Sequence, residues 1–365
     1  MAFSSTVLFN LAIGIGFIAI PLLALDVGYD ATQIGLLIAS SAISQMVARA
    51  FMGSMLRRIP DRVFIVAACV LMVVSCGILT VSTSLFAFAL AELAQGVSRA
   101  IFWTGIQTHV VRAAKTAVHG LSVVNIAGGA GSLAGPVLAG ILSEASPVIA
   151  LLAGAGVSML AMVPGALLIE LPVFATIGRE PGFLWRRPGV SAACWTAVGT
   201  GTWKGVLSSY VPIALALAGQ SSSSIGILVA MGNAAALLGS AVSTWIRRAG
   251  VNGSLLIGIV STAVGTAAIG PLAGVTVAVA LALVISGIGA GVLQTVGPAV
   301  ATELVHPEER GDVIASVGLF RAGALFAAPA GMAGIVLLAP ISVAFLIVGG
   351  LVMLPALSLK FVSRT

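Results

Sequence analysis

Apolar residues fill this chain in long blocks separated by short polar stretches, and neither helical amphipathicity nor strand alternation organises most of it. A bilayer core is crossed by about 20 predominantly apolar residues in a helix. On that measure the pattern predicts spans at 3–25, 33–56, 63–82, 84–105, 117–142 and 147–169. After a polar stretch it predicts 189–217, 224–246, 253–272, 274–299, 312–337 and 339–359. Many glycines fall inside these blocks, as lipid-embedded helices allow where backbones approach closely.

Composition excludes a soluble domain. Charged residues make up 8% of the 365 residues and apolar residues 59%, against about 25% charged in soluble domains. Mean hydropathy is +1.17. The first block is read as a retained span, since no basic stretch precedes it and no small-residue cleavage site follows it. Cys69, Cys76 and Cys194 stand singly in apolar runs and suggest neither a disulfide framework nor a zinc site. The net charge of +6 is explained by where the bases fall. With both termini cytoplasmic, the inner loops hold 13 of the 17 Lys and Arg residues, and the outer loops hold only Asp26, Asp30 and Glu144. The remaining bases, Arg49, Arg99, Lys204 and Arg321, lie within spans. The positive charge therefore marks topology and predicts no nucleic-acid partner.

The two halves of the chain repeat. A shift of 191 positions lays Gly14 on Gly205, Pro21 on Pro212, Gly28 on Gly219, Ile34-Gly35 on Ile225-Gly226 and Arg57 on Arg248. This predicts two six-helix bundles in parallel repeat, 1–169 and 189–365, joined by a cytoplasmic linker at 170–188.

Four sequence features resemble the major facilitator superfamily: Gly14-x-Gly16 with Pro21; Gln95-Gly96 followed by Ala100; Gly131-x-x-x-Gly135-Pro136-x-x-Ala139-Gly140; and Pro307-Glu308-Glu309-Arg310-Gly311. The third resembles a signature associated with drug:proton antiporters. The resemblance implies an all-α membrane protein of about twelve helices in two pseudo-symmetric bundles. It also implies a monomer moving a small molecule by alternating access, driven by a proton gradient with no bound cofactor. The family's inner-loop pattern, GxxxDRxGRR, is altered here to Gly53-Ser-Met-Leu-Arg57-Arg58-Ile-Pro60-Asp61-Arg62. In the family the acid of that loop latches the two halves, partly through a helix N-terminus that favours anions. Arg57 cannot serve such a terminus, so the latch is either absent or rebuilt around Asp61. In helix 4, Glu92 stands where the family has arginine.

Charges inside a bilayer are expensive and mark function by default. Glu92 is the one acid well inside a span, where a carboxyl can load and release a proton. Glu92, Gly96, Arg99 and Trp103 recur at helical spacing on one face, which makes Arg99 and Trp103 candidates to contact substrate. Lys204, beside Trp203, is placed to pair with Glu92 across the halves. Arg321, Asn10 and Gln294 are further substrate candidates. Each has a structural alternative, a helix–helix hydrogen bond or a side chain reaching the interface. Arg49 is expected to reach the interface, Asp26 to lie in water, and His109, His119 and His306 to be solvated.

No ATP-binding loop, zinc-protease motif or hydrolase elbow is present, so neither ATP-driven transport nor an enzyme is indicated. The leading expectation is proton-coupled export of a drug-like or amphipathic compound across a cell membrane, the short loops suggesting a prokaryotic one. The alternatives are a nutrient or organic-anion importer or uniporter of the same fold, and a non-transporting membrane sensor or membrane-embedded enzyme.

Overall fold

In hydrocarbon each backbone N–H and C=O has to find a partner within the chain, so apolar blocks of this length fold as helices. A computed structural model describes residues 1–56, 58–113, 117–171, 184–305, 310–357 and 359. Arg57, Lys115, His306, the Pro307-Glu308-Glu309 loop and residues 172–183 of the linker lie outside the described residues, as does the side chain of His119.

Among the described residues there are thirteen α-helices and no strand. The first six are α1 (Ala2–Asp26), α2 (Ala31–Met55), α3 (Asp61–Val81), α4 (Leu85–Ala113), α5 (Ala117–Ser143) and α6 (Pro147–Ala166). Then follow α7 (Pro188–Ser208), α8 (Tyr210–Leu217), α9 (Ser222–Ile246), α10 (Val251–Leu272), α11 (Thr276–Glu303), α12 (Arg310–Val336) and α13 (Ile341–Val352). Ten of these are long and apolar enough to cross a membrane. The consecutive pair α7–α8, and α13 with the turn after it, supply the other two spans. The chain is a multi-pass, all-α membrane protein with the twelve-span architecture.

Two spans depart from the sequence expectation. The block at 189–217 is not one helix; it breaks at Ser209 (φ −123°, ψ −73°). Pro212 has no N–H to give the carbonyl four residues back, and its ring crowds that carbonyl. Ser208 and Ser209 then turn their hydroxyls back, to Lys204 O at 2.9 Å and Gly205 O at 2.7 Å respectively. Pro21, the repeat partner of Pro212, lies inside an unbroken α1. The last span is also shorter as an α-helix than 339–359, because α13 ends at Val352 and tightens to a 3₁₀ turn just before and through Pro355.

The chain divides into two compact units, Met1–Arg179 with Ser221–Ala230, and Glu180–Gln220 with Met231–Thr365. In the first, α1 packs on α5 and α6, and α3 on α4 and α6; in the second, α7 packs on α12, α10 on α11, and α10 on α13. The turns repeat as well. After α1, Gly28 N bonds Leu25 O and Tyr29 N bonds Ala24 O; after α8, Gly219 N bonds Ala216 O and Gln220 N bonds Leu215 O. Both are Schellman closures, and both glycines take the positive φ that this closure requires (97° and 80°).

Candidate functional site

Within the first unit the intramembrane charges gather where α2 crosses α4. Gly96 has no side chain, and that lets the α2 backbone at Ser41 reach α4; Ser44 Oγ then donates to Leu93 O at 2.8 Å. At this crossing Arg99 Nη2 donates to Ser41 Oγ at 2.7 Å. The Ser41 hydroxyl itself donates to Ile38 O at 2.7 Å, and the Glu92 carboxyl, 5% exposed, lies within electrostatic reach of both Ser41 and Arg99. The acid and the base are seven residues apart on one helix. Phe17 of α1 covers the guanidinium, its ring centroid 5.2 Å from Arg99 Cζ. Arg49 adds a second positive charge near Arg99, and its own side chain is exposed.

The other candidates on this unit are close to one another but away from that crossing. A Cβ on Gly128 of α5 would meet Trp103 at 2.8 Å and Asn10 Nδ2 at 3.6 Å. Trp103 and Asn10 thus share one wall, although the Asn10 amide donates to Thr6 O at 2.9 Å within its own helix. The face that holds Glu92, Gly96, Arg99 and Trp103 meets α2 at its first part and α5 at Trp103.

Within the second unit two bases are met by amide oxygens. Lys204 Nζ donates to Asn233 Oδ1 at 2.7 Å, one helical turn before the break at Ser209. Arg321 Nη2 donates to Gln294 Oε1 at 3.4 Å. Trp203, also a substrate candidate from the sequence, is 4% exposed, and its indole donates to Ser286 Oγ at 3.1 Å. Asn233 and Ser41, which hold the two best-placed bases, escaped the sequence reading. Their signal was a mid-span asparagine and a mid-span serine, neither rare enough to stand out.

Asp61, in the altered inner loop, packs against α4. Asp61 opens α3, is 1% exposed, and lies 3.3 Å from His109 Nδ1 and 3.6 Å from Arg112 Nη1, both on α4. His109 is buried, not solvated, because α3 begins directly over it. Arg62 bonds Glu170 at 2.9 Å and reaches Leu168 O at 3.5 Å, while Arg58 is exposed. Gly53 lies in the last turn of α2.

The glycines of α5 pack directly on α1. A Cβ on Gly131 would lie 2.7 Å from Leu11 N, and one on Gly135 would lie 2.7 Å from the Gly14 Cα. Pro136 Cδ would meet a Cβ on Gly14 at 2.9 Å. In the second unit a Cβ on Gly205 would meet Pro329 of α12 at 3.4 Å, so the repeat pairs a glycine with a proline in each half.

A sequence model of the Major Facilitator Superfamily matches residues 2–329. The chain belongs to that superfamily. Solved structures of other facilitators share its fold. The nucleoside transporter NupG aligns with a TM-score of 0.81 at 14% identity, over 100% of this chain and 98% of its own. A POT family transporter in complex with a thioalcohol-conjugated peptide gives 0.77 at 13% identity, over 100% and 95%. A bacterial homolog of the human lysosomal transporter Spinster gives 0.71 at 14% identity, over 100% and 94%. No curated protein sequence matches the chain.

Proposed function

We propose that this facilitator is a secondary active transporter working by alternating access, that the proton gradient drives it, and that Glu92 carries the proton. The observation behind this reading is a buried acid, Glu92, within electrostatic reach of a buried base, Arg99, on one face of α4. A buried acid and base compensate each other, and adding a proton to the acid leaves the base uncompensated. Protonation of Glu92 would free Arg99 for substrate; departure of substrate would return Arg99 to a charged Glu92. Phe17 over Arg99 and the Trp103–Asn10 wall suit an amphipathic compound, with a ring to stack and a polar group to bond. Export is the direction favoured by the Gly131–Gly140 resemblance. The moving bodies would be the halves 1–169 and 189–365, acting as a monomer in a prokaryotic cell membrane with both termini cytoplasmic.

A second reading, uptake of an organic anion, is favoured by Lys204 and Arg321. Both are bases within spans, and each meets an amide oxygen. No Asp or Glu occurs between Glu180 and Glu303.

The test uses proteoliposomes holding a pH-sensitive dye, with an imposed proton gradient and a panel of amphipathic cations and organic anions. Gradient-driven flux of an amphipathic compound that disappears in Glu92→Gln, with exchange at equal pH retained, is the expected result. Undiminished proton movement in Glu92→Gln sinks the assignment of Glu92, and flux confined to anions moves the substrate to the second reading.

A further inference from the structure

The end of the linker forms a 3₁₀ turn, Leu184–Arg186, which packs on α7 and α12. It brings three aromatic rings from three segments together. Trp185 of the turn and Trp195 of α7 each lie 5.8 Å from the ring of Phe320 on α12, the first tilted and the second edge-on. The cluster does not close into a core: Trp185 is 36% exposed and Trp195 47% exposed. Arg186 Cζ stands 5.3 Å from the Trp185 ring, and Arg186 and Arg187 are both exposed. All five residues belong to the second unit.

Their depth is set by the helices that carry them. The apolar span of α12 begins at Ser316, so Phe320 is four residues inside it, about 6 Å along the axis. Trp195 is seven residues, or about 10 Å, from Pro188 at the start of α7. Trp185 and both arginines precede Pro188. The rings therefore sit at the edge of the hydrocarbon and the guanidiniums outside it, in a headgroup layer about 5–8 Å deep. Indole suits that boundary, with an apolar body and an N–H that bonds. A guanidinium offers a fork of N–H donors that matches a phosphate. Neither the turn nor α7 carries an Asp or Glu to compete with one.

We propose that this cluster is a binding site for an anionic phospholipid: Arg186 and Arg187 take its phosphate, and Trp185 and Trp195 lie along its glycerol and upper acyl chains. A zwitterionic lipid carries an ammonium close to its phosphate, which repels the two arginines, so the site selects a headgroup of net negative charge. Binding holds the end of the linker against α7 and α12 at the membrane surface. The site is independent of the direction of transport and of the role of Glu92.

The test is tryptophan quenching in the full-length protein, reconstituted in phosphatidylcholine vesicles with rising fractions of one lipid brominated near the glycerol end of its chains. The brominated lipid is phosphatidylglycerol in one series and phosphatidylcholine in the other. The signal of the site is the part of the quenching lost in Trp185→Phe with Trp195→Phe, two conservative changes at exposed positions. That part is expected to report phosphatidylglycerol bound roughly fivefold or more tighter than phosphatidylcholine, the factor that one base at an anionic surface is worth. Arg186→Gln with Arg187→Gln abolishes the preference and keeps the quenching by brominated phosphatidylcholine. Arg58→Gln, which removes an exposed base from the other unit, leaves the preference unchanged. Equal quenching by the two lipids overturns the proposal, as does a preference that survives the loss of both arginines or falls as far in Arg58→Gln. Absence of quenching at Trp185 and Trp195 by either lipid puts the rings out of reach of lipid and overturns it as well.

Discussion

Glu303 closes α11 and meets Arg247 through two bonds, Nη1 to Oε1 at 3.0 Å and Nη2 to Oε2. The fork geometry is the strong form of an ion pair, yet both side chains are largely in solvent. Arg247 holds the Glu303 carboxyl below its usual value, chiefly by hydrogen bonding. A lowered native value means that the unfolded chain binds the proton more readily. The stabilisation is then fully present above the ordinary glutamate value of about 4.3 and fades as pH falls through the lowered one. Glu303→Gln should therefore lower the melting temperature near neutral pH, by an amount worth under about 1 kcal/mol, and less in high salt. The difference from the parent should vanish in acid; a gap that widens as pH falls would reverse the sign of this argument. Legibility at this scale followed rarity. Glu92 and Arg99 were visible because a charge in an apolar block stands out. Ser41 and Asn233 were not, because the sequence does not show which way a mid-span hydroxyl or amide faces. His109 was misread because its burial depends on α3 starting over it, a tertiary fact.

At the scale of elements, hydropathy located the helices well and their interruptions poorly. A proline predicts a weak point in a helix but not its outcome: Pro21 leaves α1 whole while Pro212 parts α7 from α8. The serines at the break turn their hydroxyls back to carbonyls of the preceding turn, and α1 has Phe17-Ile18 in their place. The glycine pattern of α5 was legible as a motif, and its physical content is packing on α1. Gly135 and Gly14 meet backbone to backbone, so neither side can yield by turning a side chain. Gly135→Val is expected to destabilise the protein by about 1–3 kcal/mol or more, the cost of overpacking a fixed contact. Gly156, in α6, has nothing within 4 Å of an added Cβ. Gly156→Ala is expected to be neutral or to stabilise by up to about 1 kcal/mol, through helix propensity alone. Melting temperatures of both variants in one detergent decide the matter. Equal losses would mean that glycine as such, and not the α1–α5 approach, sets the effect.

For the whole molecule the twofold repeat and the charge distribution carry the organisation. The Schellman turns at Gly28 and Gly219, and the glycine–proline contacts of α1 with α5 and α7 with α12, recur at or near the 191-residue shift read in the sequence. The intramembrane charges do not repeat. Glu92 and Arg99 compensate within the first unit, whereas Lys204 and Arg321 rest on amides in the second. The proposed orientation rests on the remaining bases. Thirteen of the 17 fall in loops that an even span number places on one side, together with both chain ends. Basic loops resist translocation, and in the orientation proposed above that side is the cytoplasm. A fluorescent protein fused after Thr365 should glow, and alkaline phosphatase fused there should be inactive, since the first folds in the cytoplasm and the second needs export. Fusions at Asp26 and Glu144, at the ends of odd-numbered spans, should behave in the opposite way. An active phosphatase at Thr365 together with active ones at Asp26 and Glu144 would require an odd number of spans. It would put bases on both faces, and with them would fall the parallel repeat of two six-helix halves on which the alternating-access reading stands.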